Sequence, residues 1–155
     1  MSKNRSDSLQ KAKNYAFLLL KFRQRSTKEL TRRLEQKHFE GPVIKETIAF
    51  LKEHSFINDA DFARAWIDSR LKKPLGLRRI RQELRIKGVD KSIIDSNVNR
   101  IRRDYSEEKV VAEIAAGRLA RLKGIEPQKA KHRVFSYLLR RGFSPDIISD
   151  TLAGL

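Results

Sequence analysis

A set of apolar positions recurs three times along the chain at nearly constant spacing. Leu30, Leu34, Phe39, Ile44, Ile48 and Leu51 reappear fifty residues on as Ile80, Leu84, Val89, Ile94, Val98 and Ile101. Fifty-four residues further they return as Val134, Leu138, Phe143, Ile148, Leu152 and Leu155. All of these positions are apolar in a chain that is only 39% hydrophobic, so the coincidence specifies a structural repeat. The spacing also gives the fold of each unit. The first two positions lie four apart, and the last three are spaced four and three, so each group lines one face of a helix. Between the two helices sits a turn at His38, Gly88 or Gly142, where glycine suits the left-handed residue that ends a helix. Glu40, Asp90 and Ser144 follow at the start of the next helix; Asp90 and Ser144 are good N-caps, and Gly41-Pro42 shifts the first of these starts.

Each unit opens with a further helix. In the first it spans about Leu9 to Gln24, with Ala12, Tyr15, Ala16 and Leu19 on one face, and Ser26-x-x-Glu29 then reads as a capping box. In the second, Asn58 or Asp59 caps a helix carrying Phe62, Ala63, Trp66 and Ile67, which Pro74-Leu75-Gly76 breaks. In the third, Ser106 caps a helix whose face is Val111, Ala115, Leu119 and Leu122, with Gly124 and Pro127 marking its end. The expectation is an all-α fold of about nine helices in three tandem three-helix repeats, residues 1–55 (the first few disordered), 56–104 and 105–155. Units this small gain stability by stacking on their neighbours, which predicts an elongated short solenoid.

The chain carries 35 Lys and Arg against 19 Asp and Glu, a net charge of +16, which points to a polyanionic partner. The excess is +7 in residues 1–55, +6 in 56–104 and +3 in 105–155, so it is not confined to a tail. With no Cys, disulfides, thiolate metal sites and cysteine nucleophiles are excluded. His38, His54 and His132 stand apart from any ligand partner, no phosphate-cradling glycine loop occurs, and Asp59 and Asp61 read as helix caps. An enzyme is not expected, nor a metal, nor a cofactor. The longest unbroken apolar run, Tyr15 to Leu20, is far short of a bilayer span, and the first ten residues lack the apolar core of a signal peptide. The reading is a soluble, cytoplasmic, monomeric binding protein.

Its candidate binding residues are basic. Lys72, Lys73, Arg78, Arg79, Arg81, Arg85 and Lys87 surround the second helix of the middle repeat; Ile80 and Leu84 fix its buried side and turn Arg78 and Arg85 outward, with Arg81 on the flank. Arg100, Arg102 and Arg103 form a second patch, and Arg140 and Arg141 a third. Arginine grips phosphate or carboxylate with two parallel hydrogen bonds, so DNA and an acidic protein surface both fit. Tyr15, Phe62, Trp66 and Phe135 sit at core-like spacings and read as packing rather than base-stacking platforms. Tandem helix–turn–helix modules that bind DNA unaided are the competing reading, weakened by third helices with few base-reading side chains.

The run Phe56-Ile57-Asn58-Asp59-x-x-Phe62-Ala63, with Arg70 and Gly76-x-x-Arg79-Ile80-Arg81-Gln82-Glu83-Leu84-x-x-Lys87-Gly88-Val89, resembles the bacterial RecX regulatory proteins. So do Arg25-Ser26-x-x-Glu29-Leu30 and Leu139-Arg140-Arg141-Gly142-Phe143-Ser144, and the resemblance extends over residues 12 to 155. Leu77 stands where that family often has proline, and Phe56 where tyrosine is common. The resemblance implies tandem three-helix repeats and a modulator of RecA recombinase in DNA repair, recombination and the SOS response. Such a protein binds the RecA–DNA filament and suppresses its growth, ATPase, strand exchange and co-protease activities; some members contact DNA directly.

Overall fold

The structure is a computed structural model and describes residues 2–155. Among these there are nine helices and no strand: α1 (Ser2–Phe22), α2 (Thr27–Gln36), α3 (Gly41–Glu53), α4 (Asp59–Leu71), α5 (Leu77–Ile86), α6 (Lys91–Ile101), α7 (Glu107–Ala120), α8 (Pro127–Arg140) and α9 (Pro145–Ala153). No described helix is long and apolar enough to cross a membrane. The chain divides into two compact units, Met1–Ala65 with Leu84–Ile94, and Trp66–Glu83 with Asp95–Leu155.

The repeated apolar positions form the cores. Fifteen of the eighteen are buried; Phe39 and Ile101 are half-buried, and Leu155 at the chain end is exposed. In the first unit Leu30, Leu34, Val43, Ile44, Ile48 and Leu51 close on Ala12, Ala16 and Leu19, so that α1, α2 and α3 pack pairwise. In the second, Val134, Leu138, Phe143, Ile148 and Leu152 close on Val111 and Ala115, uniting α7, α8 and α9. Small residues at the contact positions of α1 and α7 (Ala12, Ala16, Ala115) let the partner helices approach closely.

The turn after the second helix is the same motif in every repeat. His38, Gly88 and Gly142 have φ of 63°, 80° and 91°. Around them, Phe39, Val89 and Phe143 donate their backbone N–H to the carbonyls of Leu34, Leu84 and Leu138, at 3.2, 3.0 and 3.2 Å. This is a Schellman closure, in which the residue after the left-handed position also packs on the last apolar residue of the helix. The second and third members of the repeated apolar set are therefore the two halves of one hydrophobic latch.

Several expected details shift. The first helix starts at Ser2 rather than near Leu9, because its opening turns are polar on every side and give no apolar period; Arg5 reaches Glu46 at 3.5 Å there. Pro127 opens α8 instead of marking the end of α7, since a proline at the first helical turn loses no hydrogen bond. Glu126 caps that helix, accepting from the N–H groups of Gln128 and Lys129 at 2.9 and 3.0 Å. Leu122 falls beyond the end of α7. Ser144 occupies the N-cap position of α9 but makes no side-chain cap hydrogen bond; Pro145 sets the helix direction there.

Candidate functional site

Each unit contains one joint at which the start of a repeat's second helix meets the following repeat. In the first unit the amide of Thr27, at the start of α2, donates to Asp59 at 2.8 Å. In the second unit Leu77, fifty residues on and at the start of α5, donates to Glu107 at 2.7 Å. Both acids are the first residue of the next repeat's opening helix. Asp59 thus caps α2, while Asn58 caps α4 by accepting from Asp61 N–H at 3.0 Å. Sequence alone did not reveal this cross-repeat use of Asp59, because a cap is normally sought within its own helix.

The next residue back repeats the pattern. Ser26 is fully buried, and its hydroxyl donates to the carbonyl of Lys87 at 2.5 Å. At the equivalent place the amide of Gly76 donates to the carbonyl of Arg141 at 2.8 Å. The left-handed glycines then lie on the helix start. A Cβ on Gly88 would stand 2.1 Å from Lys28, and one on Gly142 would stand 2.3 Å from the Cβ of Arg79. Gly76 is equally confined, since its Cβ would meet the Gly142 carbonyl at 2.1 Å. Ser26 suits the first joint because a hydroxyl both donates and accepts. Glycine suits the second because backbone meets backbone.

The two joints differ in charge. In the first, Glu29 closes the expected capping box, accepting from Ser26 N–H at 3.3 Å while Ser26 Oγ accepts from Glu29 N–H at 3.1 Å. It also takes Arg23 at 2.5 Å and Lys87 at 3.8 Å. Burial works against the Glu29 carboxylate, but hydrogen bonds from Arg23 and Ser26 and the charges of Lys87 and Arg23 hold it below its ordinary pKa. In the second joint the residue equivalent to Glu29 is Arg79, and the residue equivalent to Lys87 is Arg141. Arg79 finds Glu83 at 3.4 Å, on an acid already engaged by Arg70 at 2.6 Å and by Trp66 Nε1 at 2.9 Å. Arg141 donates through Nε to the carbonyl of Pro74 at 3.1 Å, the residue that follows Lys72-Lys73 in sequence. Tyr137 carries Arg118 at 3.5 Å and Arg141 at 5.8 Å from its ring centroid.

The joint therefore joins segments that the sequence presented separately: the chain from Pro74 to Arg79 meets Arg141 and Gly142 at one backbone contact, with Lys72-Lys73, Arg78 and Arg140 close by in sequence. Of these, Lys72, Lys73, Arg78 and Arg140 are exposed. Arg102 borders the same region, lining a cleft of ≈ 320 Å³ with Leu77, Tyr105 and Glu107. Burial pushes the Glu107 carboxyl above its ordinary pKa, opposed by the Leu77 amide and by the charges of Arg102 and Arg78. Arg103 lines a second cleft with Arg102, Ser106 and Lys109. Arg100 is exposed at the end of α6. Arg81 is spent on Asp95 at 2.5 Å. Arg85, exposed, and Lys87, paired with Glu29, belong to the first unit. No group of three or more His, Cys, Asp or Glu side chains able to hold a metal occurs among the described residues.

Comparison with known proteins places this geometry in a family. Residues 12–51, 58–96 and 106–152 match, in order, the first, second and third three-helix domains of RecX. The regulatory protein RecX of Chlorobium phaeobacteroides (strain BS1) is 34% identical over 143 residues, covering 92% of this chain and 91% of its own. That of Mycobacterium sp. (strain JLS) is 36% identical over 155 residues, covering 94% and 84%. In fold the chain resembles the crystal structure of RecX from Lactobacillus salivarius, with a TM-score of 0.84 at 23% identity over 97% of both chains. With all three domains matched in sequence and in order, the chain belongs to the RecX family of regulatory proteins.

Proposed function

We propose that this chain regulates RecA recombinase by binding the RecA–DNA filament through the cationic surface of its second joint. Binding there suppresses filament growth, and with it ATP hydrolysis, strand exchange and co-protease activity in recombination and repair. One observation carries the choice of surface: where the first joint neutralises its cations with Glu29, the second has Arg79 at the same repeat position. Its exposed members, Lys72, Lys73, Arg78 and Arg140, have charge to offer a polyanion without dismantling an ion pair of the fold. Phosphate oxygens suit such a surface, and few groups on it are placed to read base edges, so recognition follows the charge and shape of a filament more than its sequence.

Co-sedimentation tests this. RecA filaments on single-stranded DNA are pelleted with the wild-type chain and with a Lys72→Glu, Lys73→Glu, Arg140→Glu variant. The wild type should pellet with filaments at concentrations that leave bare DNA unoccupied, and the variant should stay in solution. Equal recovery of both proteins would move the binding surface elsewhere. Equal affinity of the wild type for bare DNA would favour a protein that acts on DNA unaided.

A further inference from the structure

The first unit contains an aromatic cluster that the cationic joint does not use. Phe50 and His54 lie one turn apart at the end of α3, with ring centroids 4.2 Å apart. Phe56 adds a third ring, 6.3 Å from His54 at an interplanar angle of 17° and 6.4 Å from Phe50 at 26°. Phe17 of α1 buttresses Phe56 edge-on at 4.8 Å. Hydrogen bonds at the helix end position the cluster. His54 Nδ1 is 2.9 Å from the Phe50 carbonyl, which only accepts, so that nitrogen carries the proton. Ser55 adopts φ 57°, and Phe56 N–H bonds to the Leu51 carbonyl at 2.8 Å, the same Schellman closure that ends α2, α5 and α8.

One feature departs from those other closures. Phe143 in the equivalent position after α8 is fully buried, whereas Phe56 is 50% exposed. Three rings with planes within about 35° of one another thus gather at the end of the domain, and two of them, His54 and Phe56, are open to solvent. Cations edge them. Lys13 Nζ sits 3.9 Å from the Phe50 centroid. Arg25 lines a shallow cleft with Phe56, Ser55 and Asp61, and its Nε is buried with no hydrogen-bond partner among the described residues. Burial and the charges of Arg23 and Arg33 work against the Arg25 cation, and Glu29 only partly offsets them, so a further anion would favour it.

We propose that this cluster is a stacking platform for single-stranded nucleic acid, with an unpaired base on Phe56 and His54 and a neighbouring phosphate at Arg25. Exposed rings bordered by cations match the base and the phosphate of a nucleotide, whereas an aliphatic side chain would use the rings alone. The site is built from first-unit residues alone and needs no recombinase, so it stands or falls separately from the filament reading.

The experiment measures fluorescence anisotropy of labelled oligothymidylate and of an abasic strand of the same length. It uses the full chain as wild type, Phe56→Ala, Phe56→Trp and Arg25→Gln. Loss of one stacked base corresponds to roughly 5- to 100-fold in affinity. Phe56→Ala should weaken oligothymidylate binding by that factor and leave the abasic strand unaffected. Phe56→Trp should restore binding, and Arg25→Gln should weaken both strands. Failure of the wild type to bind oligothymidylate, or unchanged affinity in Phe56→Ala, overturns the proposal. So does an equal loss on both strands by Phe56→Ala, which would reflect the fold. If Phe56→Ala binds both strands normally yet no longer acts on RecA filaments, the rings face recombinase and the proposal is wrong.

Discussion

Gly76→Ala would place a methyl group at the centre of the second joint, where the structure leaves no room for one. The new Cβ would stand 2.1 Å from the Gly142 carbonyl oxygen, 2.2 Å from its carbon and 2.3 Å from the Phe143 nitrogen. All three are backbone atoms, so no side-chain rotation relieves the contact, and the α8–α9 turn must move away. That movement lengthens or breaks the 2.8 Å bond from Gly76 N–H to the Arg141 carbonyl. Overpacking of this kind costs about 1–3 kcal/mol, and a lost backbone hydrogen bond about 0.5–1.5 kcal/mol. Together they predict a loss of about 2–4 kcal/mol, and for a chain of this size a Tm lower by about 5–15 °C. Thermal melting followed by far-UV circular dichroism measures it, with Gly117→Ala as the internal comparison. Gly117 lies inside α7 with nothing within 4 Å of its missing Cβ, so alanine there should stabilise by about 0.5–1 kcal/mol. If Gly76→Ala melts with the wild type while Gly117→Ala behaves as expected, the turn is not docked on the start of α5 and the joint does not exist in solution.

Leu84 is fully buried, so Leu84→Ala should lower stability by about 2–5 kcal/mol in denaturant titration. His38→Gly should raise it by about 0.5–1 kcal/mol, because His38 holds the left-handed turn that glycine holds in the other two repeats and is exposed. Two carboxylates should respond to pH in opposite senses. Burial opposes the charge of Glu83, but hydrogen bonds from Arg70, Trp66 and Arg79 hold its pKa below the ordinary value. Its contribution is therefore present above the ordinary carboxylate pKa and lost as pH falls through the folded value, so Glu83→Gln should cost stability at neutral pH and little in acid. Glu107, held above its ordinary pKa mainly by burial, binds its proton more tightly when folded and weakens the fold as pH rises. Glu107→Gln should consequently gain stability at neutral pH relative to the wild type, with the gain vanishing in acid; melting curves across pH check both signs.

Much of this fold was legible because it rests on periodicity. The apolar set starting at Leu30 marked the helices, and the αL positions at His38, Gly88 and Gly142 marked their ends, since few residues tolerate positive φ. What escaped were features without an apolar period or without locality. The polar opening of α1 is helical yet offers no face to detect. Asp59 and Glu107 serve helices thirty residues or so away in sequence, and local cap rules do not look that far. The candidate binding residues were legible as a list but not as a surface. Charge alone did not distinguish Arg81, paired with Asp95, from exposed Arg78, nor show that Arg141 bonds to Pro74 and Gly76. That Phe56 is half exposed was not legible either, since the sequence around it reads as packing.

The filament reading is tested most directly by RecA-dependent ATP hydrolysis on single-stranded DNA, titrated with wild-type protein and with the Lys72→Glu, Lys73→Glu, Arg140→Glu variant. These three side chains are exposed, so the variant should melt close to the wild type. The wild type should suppress hydrolysis progressively, and added salt should weaken suppression steeply, as displacement of several phosphate counterions requires. The folded variant should leave hydrolysis near the rate of RecA alone. Suppression of equal strength by both proteins would contradict the assignment of the second joint as the binding surface, and no effect of the wild type on hydrolysis would contradict regulation of RecA itself.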